Sequence, residues 1–411
     1  MPAVFDIKPA AAAAPAPDVA TFLRPGTLTL HGQPPLSLYV HYPWCVRKCP
    51  YCDFNSHQVN GSDAREPEYL TALRADLEAA LPFIWGRRIV SVFIGGGTPS
   101  LLSAAGLDRL LSDIRALLPL APDCEITLEA NPGTFEAERF GSYRASGVNR
   151  LSIGIQSFDN EKLHALGRVH DRAQAFGAID IAHRYYDNFN LDLMYALPGQ
   201  SVADLQNDIA TAIAAAPQHL SLYQLTLEAN TVFAKYPPTL PDEDTAAAMH
   251  DWIEQGTAEG GYRRYEISAY STPQRECRHN LNYWMFGDYL GIGAGAHSKI
   301  SFPHRIVRQV RFRNPSSYLE QAARNQFVAE THEVSRTDLP FEFMLNALRL
   351  TDGVPINSFL ERTGVPLNTI EAELADAERR GLLQRDHTVI YATSLGLRFL
   401  SDLQAIFLRT G

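Results

Sequence analysis

Short β-rich segments alternate with longer segments of helical periodicity along the first 225 residues. The six predicted strands lie at 36–41, 89–94, 125–130, 150–156, 189–195 and 220–225. Between them apolar residues recur at helical spacing, as Leu70, Leu73 and Leu77 do after the first strand. Strands that alternate with helices predict parallel βαβ units and an α/β fold. Six units fit a partial (β/α)6 TIM-like barrel better than a complete eightfold barrel.

A different pattern begins near residue 335. Helices are predicted at 339–350, 356–363 and 367–380, followed by a β-like pair at 382–384 and 389–392 and a last helix at 395–407. Three helices followed by a small hairpin are typical of a winged-helix-like domain, and such domains often bind DNA. From 333 to 411, however, the chain has 11 acidic residues against 8 arginines and no lysine. This charge balance argues against a nucleic-acid partner.

These patterns divide the chain into four parts. Residues 1–35 are predicted to form a flexible tail, because the first twenty residues hold eight alanines and four prolines without periodicity. The barrel domain covers 36–300 and a less regular linker region covers 301–334. The winged-helix-like C-terminal domain, small and mostly helical, covers 335–411.

The chain has 411 residues with 36 basic and 46 acidic side chains, so its formal net charge is −10. Such an acidic protein is a poor candidate for binding phosphate backbones as its main task. The sequence has no apolar run near 18 residues, and residues 1–20 lack the continuous apolar core typical of a secretory signal, so we expect a cytoplasmic protein that is not integral to a membrane. Arg305, Arg308, Arg311 and Arg313 could help the protein dock on anionic lipid. The net charge of −10 opposes such docking.

Three of the five cysteines fall within eight residues, directly after the first predicted strand. Cys45, Cys49 and Cys52 have the spacing C-x3-C-x2-C, which brings three thiolates onto one loop. A structural zinc site needs four ligands, with His41 or His57 as the candidate fourth. Iron–sulfur clusters that transfer electrons usually have four cysteines as well. The most economical interpretation is a [4Fe–4S] cluster with one iron left open to a ligand from outside the protein.

Polar residues and glycines lie at or just after the ends of most of the other predicted strands. They are Gly96, Gly97 and Thr98 after the second strand, Glu129 in the third, Gln156 in the fourth and Asp192 in the fifth. The carboxyl ends of barrel strands meet at one mouth, so this coincidence favours a common site over ordinary loop residues. Glycines there permit close approach, and their amides can bind a carboxylate or amino group. Glu129 could instead serve a helix N-terminus, and Asp192 in an apolar strand requires a partner.

The cysteine motif after the first strand of a (β/α) barrel is the signature of the radical SAM family, which the chain resembles over about residues 36–405. In that family the open iron binds the amino and carboxylate groups of S-adenosylmethionine. The residues at these strand ends resemble, one by one, the cofactor-contacting residues of the coproporphyrinogen III dehydrogenase subgroup. The resemblance implies that the glycines contact the methionine part of the cofactor and Glu129 its ribose. The implied cofactor-binding residues are Tyr39, Tyr51, Gly96, Gly97, Thr98, Glu129, Gln156, Arg168, Asp192 and Thr226.

Two features separate this chain from the decarboxylating members of the subgroup. Those enzymes carry a fourth cysteine two residues after the third, where this sequence has Phe54. The H-N-x-x-Y-W segment at 279–284 resembles the haem-binding motif of the subgroup's haem chaperones. An imidazole can bind iron, and aromatic rings can lie against a macrocycle. The implied haem contacts are His279, Asn280, Tyr283 and Trp284, with Cys277 as a candidate extra ligand. The alternative is that His279 and Trp284 are core residues.

The resemblance therefore predicts a haem chaperone that binds a [4Fe–4S] cluster, S-adenosylmethionine and haem. It would deliver haem to acceptor haem proteins, such as respiratory enzymes, without coproporphyrinogen oxidase activity. The alternative is an oxygen-independent coproporphyrinogen III oxidase, a radical SAM enzyme of porphyrin biosynthesis, and Phe54 argues against it. A third hypothesis is a nucleic-acid-binding regulator with an iron–sulfur sensor, which the acidic C-terminal domain opposes.

Overall fold

One mixed sheet runs through the larger part of the molecule. In the computed structural model, which describes residues 19–59, 65–133 and 139–408, this sheet has twelve strands. Its centre consists of six parallel strands in chain order: β1 (Leu36–Tyr42), β2 (Ile89–Gly96), β3 (Leu120–Ala130), β4 (Arg150–Gln156), β5 (Phe189–Tyr195) and β6 (His219–Gln224). This parallel order, with helices between consecutive strands, confirms the predicted partial (β/α)6 barrel.

Amphipathic helices cover the outside of these strands. The helices of this domain are α1 (Val19–Leu23), α2 (Glu66–Ala80), α3 (Ala104–Leu117), α4 (Phe140–Ser146), α5 (Asn160–Ala165), α6 (Arg172–Tyr185), α7 (Val202–Ala214), α8 (Val232–Lys235), α9 (Glu243–Glu259), α10 (Arg278–Trp284) and α11 (Pro315–Ala322). In α3 the buried side chains Leu107, Leu111 and Ile114 recur at helical spacing. Ser103 begins that helix by accepting a hydrogen bond from the Gly106 amide.

Further strands extend the sheet at both edges. They are β7 (Arg263–Glu266), β8 (Ala269–Ser271), β9 (Asp288–Ile292), β10 (His297–Phe302), β11 (Arg305–Arg311) and β12 (Val328–Glu333). β9 runs parallel to β1, and β10, β11 and β12 follow it as an antiparallel meander. Residues 301–334 therefore contribute the end of β10, the strands β11 and β12 and the helix α11, and the prediction of a linker region there is wrong.

These strands are hard to recognise in the sequence because they carry arginines whose acidic partners lie on other elements. Arg311 is 2% exposed and donates to Asp76 at 3.2 Å. Arg308 donates to Glu342 at 2.6 Å, and Arg305 also pairs with an acidic side chain. A buried charge is tolerated only when it is paired, and these pairs make a charged strand compatible with the core. Three of the four arginines predicted to favour docking on lipid are thus paired within the protein.

Part of the predicted flexible tail is packed against the barrel domain. Phe22 on α1 is buried, and its ring lies 5.2 Å from the ring of Phe302 and 5.8 Å from that of Phe83. The amide of Leu28 donates to the His304 carbonyl at 3.2 Å. The prediction of flexibility is therefore wrong for the part of the tail that contains Phe22 and Leu28. Residues 1–18 lie outside the described residues.

The C-terminal domain has its own hydrophobic core. It contains α12 (Leu339–Ala347), β13 (Val354–Pro355), α13 (Ile356–Thr363), α14 (Glu371–Arg379), β14 (Leu383–Arg385), β15 (Val389–Ala392), α15 (Ser394–Arg398) and α16 (Leu400–Ala405). The strands pair in the order β13-β15-β14, in agreement with the predicted winged-helix-like arrangement. The last predicted helix is interrupted at Phe399, whose backbone leaves the helical region (φ −112°, ψ 46°). Across the described ranges, no helix combines the length and the apolar character needed to cross a membrane.

Candidate cofactor site

The three motif cysteines lie on a closed loop at the carboxyl end of β1. Residues Trp44–Cys45 pair in parallel with His57–Gln58, so the two ends of the loop are joined. Inside the loop, the Cys52 amide donates to the Cys49 carbonyl at 3.1 Å. All three cysteines line a cavity of about 370 Å³ at the barrel mouth. The fold therefore presents the three thiols to one enclosed space.

The geometry of the loop separates the zinc and iron–sulfur interpretations. Among the described residues, no three Cys, His, Asp or Glu side chains converge closely enough to hold one metal ion. Of the candidate fourth zinc ligands, His41 has both ring nitrogens occupied, by the Tyr39 hydroxyl and the Asn55 carbonyl, each at 2.9 Å, and His57 bonds through Nε2 to the Asn55 amide oxygen at 3.1 Å. Thiols that are spread around a loop fit a cluster in which each binds a different iron.

Electrostatics agrees with this assignment. Burial, together with the neighbouring Cys52 and Cys49, raises the pKa of the Cys45 thiol to about 11. Without a cation this thiol would stay protonated at neutral pH, and a bound metal centre would deprotonate it. The donor set therefore fits a metal–sulfur cluster, whose iron would supply the missing positive charge.

Arg168 connects the cysteine loop to the barrel wall. One guanidinium nitrogen lies 3.8 Å from the Cys49 sulfur, and the other donates to the Asn131 amide oxygen at 2.6 Å and to the Gly154 carbonyl at 2.8 Å. The preceding Gly167 has a φ of +69°, and a Cβ there would lie 2.8 Å from the Pro50 ring. Glycine is thus needed to bring this arginine against the loop.

The glycine turn after β2 touches the same loop from the other side. Gly96 has a φ of +120°, and a Cβ on Gly97 would lie 2.5 Å from the Trp44 carbonyl oxygen. The amides of Gly97 and Thr98 donate to the carbonyls of Tyr42 and Trp44, each at 2.7 Å. The expectation that these amides are free for a ligand is therefore wrong. The glycines instead allow the turn to pack directly against the cysteine loop.

Two carboxyl groups form the floor of the cavity. Glu129 accepts from the Gly96 amide at 3.0 Å, and burial together with the nearby Asp192 raises its pKa to about 8. Asp192 accepts from Ser152 at 3.0 Å and from Asn190 at 2.8 Å, while burial raises its pKa as well. The partner predicted for Asp192 is therefore present. Such groups can accept hydrogen bonds from the hydroxyls of a ligand.

Most of the predicted cofactor residues meet in this one cavity. Gln156 has a φ of +68° at a bulge in β4, and Thr226 lies at the rim, where its hydroxyl donates to Glu228 at 2.7 Å. The predicted residues that line the cavity are Cys45, Cys49, Cys52, Tyr51, Gly96, Gly97, Thr98, Glu129, Gln156, Arg168, Asp192 and Thr226. Phe54 also lines it and is 60% exposed.

Tyr39 is the exception among the predicted cofactor residues. It does not line the cavity, and its hydroxyl bonds to Nδ1 of His41 at 2.9 Å. The other nitrogen of that imidazole bonds to the Asn55 carbonyl, three residues beyond Cys52. Tyr39 therefore supports the cysteine loop from inside the barrel, because an inward side chain in the middle of β1 lies below the mouth.

Several cavity residues were missed in the sequence. They include Asn131, Ser152, Tyr223, Gln224 and Glu228. Asn131 comes two residues after Glu129, and Ser152 shares the inward face of β4 with Gly154 and Gln156, so strand alternation was a usable signal for both. Tyr223 and Gln224 form the polar end of β6, and Glu228 follows it; the sequence analysis did not assign this end to the mouth.

The implied haem residues lie on α10, away from the cysteine loop. Glu125 accepts from the backbone amides of Arg278 and His279 at 3.0 and 3.4 Å and from the Cys277 thiol at 3.5 Å. A strand carboxylate thus holds the start of this helix. Because its thiol is engaged and fully buried, Cys277 does not present itself as an extra ligand.

The side chains of the haem motif diverge from this helix. The imidazole of His279 lies inside the barrel, 4.8 Å from the ring of Phe93, and burial lowers its pKa to about 4. Trp284 lies under the guanidinium of Arg349 from the C-terminal domain, at 4.2 Å. Tyr283 packs on both Trp284 and Tyr289, and Asn280 is half-buried. The motif therefore does not form one continuous surface, although His279 is held as a neutral imidazole.

Comparisons with known proteins relate this chain to others. A model of the Radical SAM superfamily matches residues 39–212, and a model of the HemN C-terminal domain matches residues 334–399. The heme chaperone HemW of Escherichia coli K12 is 47% identical over 380 residues, which cover 91% of this chain and 98% of that protein. The HemW protein of Haemophilus influenzae is 45% identical, over 91% of this chain and 98% of that protein. The HemW protein of Bacillus subtilis is 34% identical, over 90% of this chain and 99% of that protein.

Among solved structures, coproporphyrinogen III oxidase (HemN) from Escherichia coli is similar with a TM-score of 0.79 and 23% identity, covering 91% of this chain and 90% of that one. At this identity the likeness shows the fold alone. Membership of the superfamily implies a [4Fe–4S] cluster and S-adenosylmethionine, and the three-thiol loop and the polar cavity fit both. With 34–47% identity over nine-tenths of its length to these relatives, the chain belongs to the HemW family of radical SAM proteins.

Proposed function

We propose that this protein is a haem chaperone, which binds haem and passes it to acceptor haem proteins. The observation that carries the proposal is the 47% identity, over nearly the full length of both chains, to a protein named heme chaperone. A site with three cysteines and Phe54 in place of a fourth agrees with it. Respiratory haem enzymes are the proposed acceptors and the cytoplasm the proposed location.

The chain's own residues would hold the cofactors in distinct ways. Cys45, Cys49 and Cys52 would bind the cluster as thiolates, with Arg168 placing positive charge beside Cys49. Glu129 would accept hydrogen bonds from the ribose, and the rest of the polar wall would orient the cofactor. When bound, the cluster supplies an electron that can cleave the sulfonium of S-adenosylmethionine.

For haem we propose His279 as the iron ligand. Its imidazole is neutral because burial lowers its pKa to about 4, and a neutral imidazole is the form that binds iron. Glu125 fixes the backbone on which it stands. Asn280, Tyr283 and Trp284, on the same helix, are proposed as further contacts.

The alternative function is oxygen-independent coproporphyrinogen III oxidation. The similar fold of HemN is the observation that favours it, and a hydrogen atom would then be abstracted from a propionate side chain. Phe54, exposed at the cavity rim, stands against it, because it cannot provide the thiol that the decarboxylating relatives have there.

One anaerobic experiment separates the two functions. The protein is reconstituted with iron and sulfide, and then haem binding and the conversion of coproporphyrinogen are measured on the same sample. A haem chaperone binds haem stoichiometrically. With S-adenosylmethionine present, it releases no more carbon dioxide from coproporphyrinogen than a control sample from which S-adenosylmethionine is omitted. Efficient decarboxylation by this sample would overturn the proposed function.

A further inference from the structure

A layer of unpartnered polar atoms lies inside the barrel, below the cofactor cavity. In this layer three buried atoms have no hydrogen-bond partner among the residues that the structure describes: Thr127 Oγ1, Arg150 Nε and His279 Nδ1. Thr127 on β3 is in register with Arg150 on β4 and with Phe93 on β2. His279 packs on Phe93 at 4.8 Å. Barrel interiors are filled in layers, and these three side chains belong to one layer.

Arg150 is the unusual member of this layer. Its side chain is only 2% exposed, yet among the described residues it forms no ion pair within 4.0 Å. Arginine stays charged at all physiological pH values, and a buried unpaired charge strongly destabilises a folded protein. Native proteins rarely leave such a group unmatched.

The carboxylates near Arg150 have other partners. Glu125 accepts from three donors at the start of α10, including the amide of His279. Asp192 accepts from Ser152 and Asn190. Both lie within electrostatic range of Arg150 but not in contact with it. The charge of the guanidinium is therefore balanced only from a distance, and its Nε–H is left without an acceptor in the part of the chain that the structure describes.

All three orphaned groups can donate. A guanidinium has only N–H groups, a threonine hydroxyl can donate, and a neutral imidazole donates from Nδ1 in one tautomer. One cation with a hydroxyl and an imidazole in one layer matches the two oxygens of a carboxylate. We infer that Thr127, Arg150 and His279 form a binding site for one carboxylate group inside the barrel.

The carboxylate site also bears on haem binding. This consequence rests on the proposed function, whereas the site itself does not. If Nδ1 of His279 donates to a carboxylate, its Nε2 is the nitrogen left for the haem iron. An anion on the far side of an imidazole fixes its tautomer and makes it a stronger ligand. The carboxylate is either a small free anion or a propionate arm of haem.

The first test uses formate and contains no haem. Thermal unfolding is measured with rising sodium formate at constant ionic strength, with chloride as the replaced anion. The wild-type chain should be stabilised saturably by a few degrees, because a ligand that binds only the folded state raises Tm. Arg150→Gln should lose this effect, while Arg324→Gln, a change at an exposed arginine, should keep it.

The second test distinguishes the propionate source. Binding of haem and of haem dimethyl ester, which lacks free carboxylates, is compared by absorbance titration. If a propionate fills the site, the ester binds the wild type roughly tenfold more weakly, and Arg150→Gln removes the difference. Thr127→Val, which replaces only the hydroxyl by a methyl group, should reduce whichever effect is seen. It takes the place of Arg150→Gln if that variant does not fold.

The outcomes are separable. A saturable, Arg150-dependent formate effect or an Arg150-dependent ester penalty supports the site and names its source. If neither is found, the layer holds water only and the inference is overturned. If haem does not bind at all, the proposed function fails, and the formate measurement alone decides on the site.

Discussion

A guanidinium nitrogen of Arg168 lies 3.8 Å from the sulfur of Cys49, while its partner nitrogen is held by Asn131 and the Gly154 carbonyl. The arginine is thus fixed by the barrel wall and directed at the cysteine loop. An N–H donor beside a metal-bound thiolate stabilises the negative charge on sulfur, which is how hydrogen bonds adjust iron–sulfur sites.

Replacing Arg168 with glutamine should weaken retention of the cluster. A hydrogen bond to a charged group contributes about 1.5–3 kcal/mol, so the loss should be roughly tenfold or more in cluster stability. Iron and sulfide content is measured after anaerobic reconstitution and gel filtration. Arg324→Gln, on the surface, is the matched control. Equal iron content in the two variants would refute the role given to Arg168.

The raised pKa of Glu129 predicts a pH dependence of stability. The folded-state pKa of about 8 lies above the ordinary value of 4.5, so between these values the unfolded state loses a proton that the folded state keeps. Stability of the cofactor-free chain should therefore fall as pH rises from about 5 to 8, by roughly 3–4 kcal/mol.

Urea unfolding at pH 5, 6, 7 and 8 checks this dependence, with Glu129→Gln as the comparison. The variant cannot ionise at this position, so its profile should be flatter than that of the wild type. Parallel pH profiles of the two proteins would show that another group is responsible.

The packing of Phe22 predicts that the N-terminal segment contributes to folding. Removal of a buried aromatic ring typically costs about 3–5 kcal/mol, and Phe22 contacts the rings of Phe302 and Phe83. We expect Phe22→Ala to be destabilised near the lower end of this range in urea unfolding. Trp85→Ala, at a site 84% exposed, should change stability by only about 0.5 kcal/mol.

His279→Ala should weaken haem binding by roughly tenfold or more, because it removes the proposed iron ligand. The measurement is the position of the Soret band together with an absorbance titration. His297→Ala is the control, since that histidine is exposed on β10. Identical haem affinity and Soret position in wild type and His279→Ala would contradict the ligand assignment.

Local patterns predicted much of the fold and of the cofactor site. Strand alternation and the C-x3-C-x2-C spacing are properties of neighbouring residues, so the barrel strands and the thiol loop were readable. The unusual residues at strand ends, such as Glu129 and Asp192, could be grouped because parallel strands end at one mouth.

Features that depend on distant partners could not be predicted. Arg311 in β11 is compatible with burial only because Asp76, far away in sequence, pairs with it. The amides of the glycine turn were expected to be free, but the carbonyls of Tyr42 and Trp44 accept from them. Tyr39 matches the family pattern, yet its depth in the barrel separates it from the cavity.

The central claim is tested most directly by haem transfer. Reconstituted protein loaded with haem is mixed anaerobically with an apo form of a respiratory haem enzyme, and the haem spectrum and activity of the acceptor are followed. The proposed function predicts transfer by the wild type, faster than from free haem, and slower transfer by His279→Ala. An acceptor that gains haem no faster than from free haem, together with decarboxylation of coproporphyrinogen by the same sample, would contradict it.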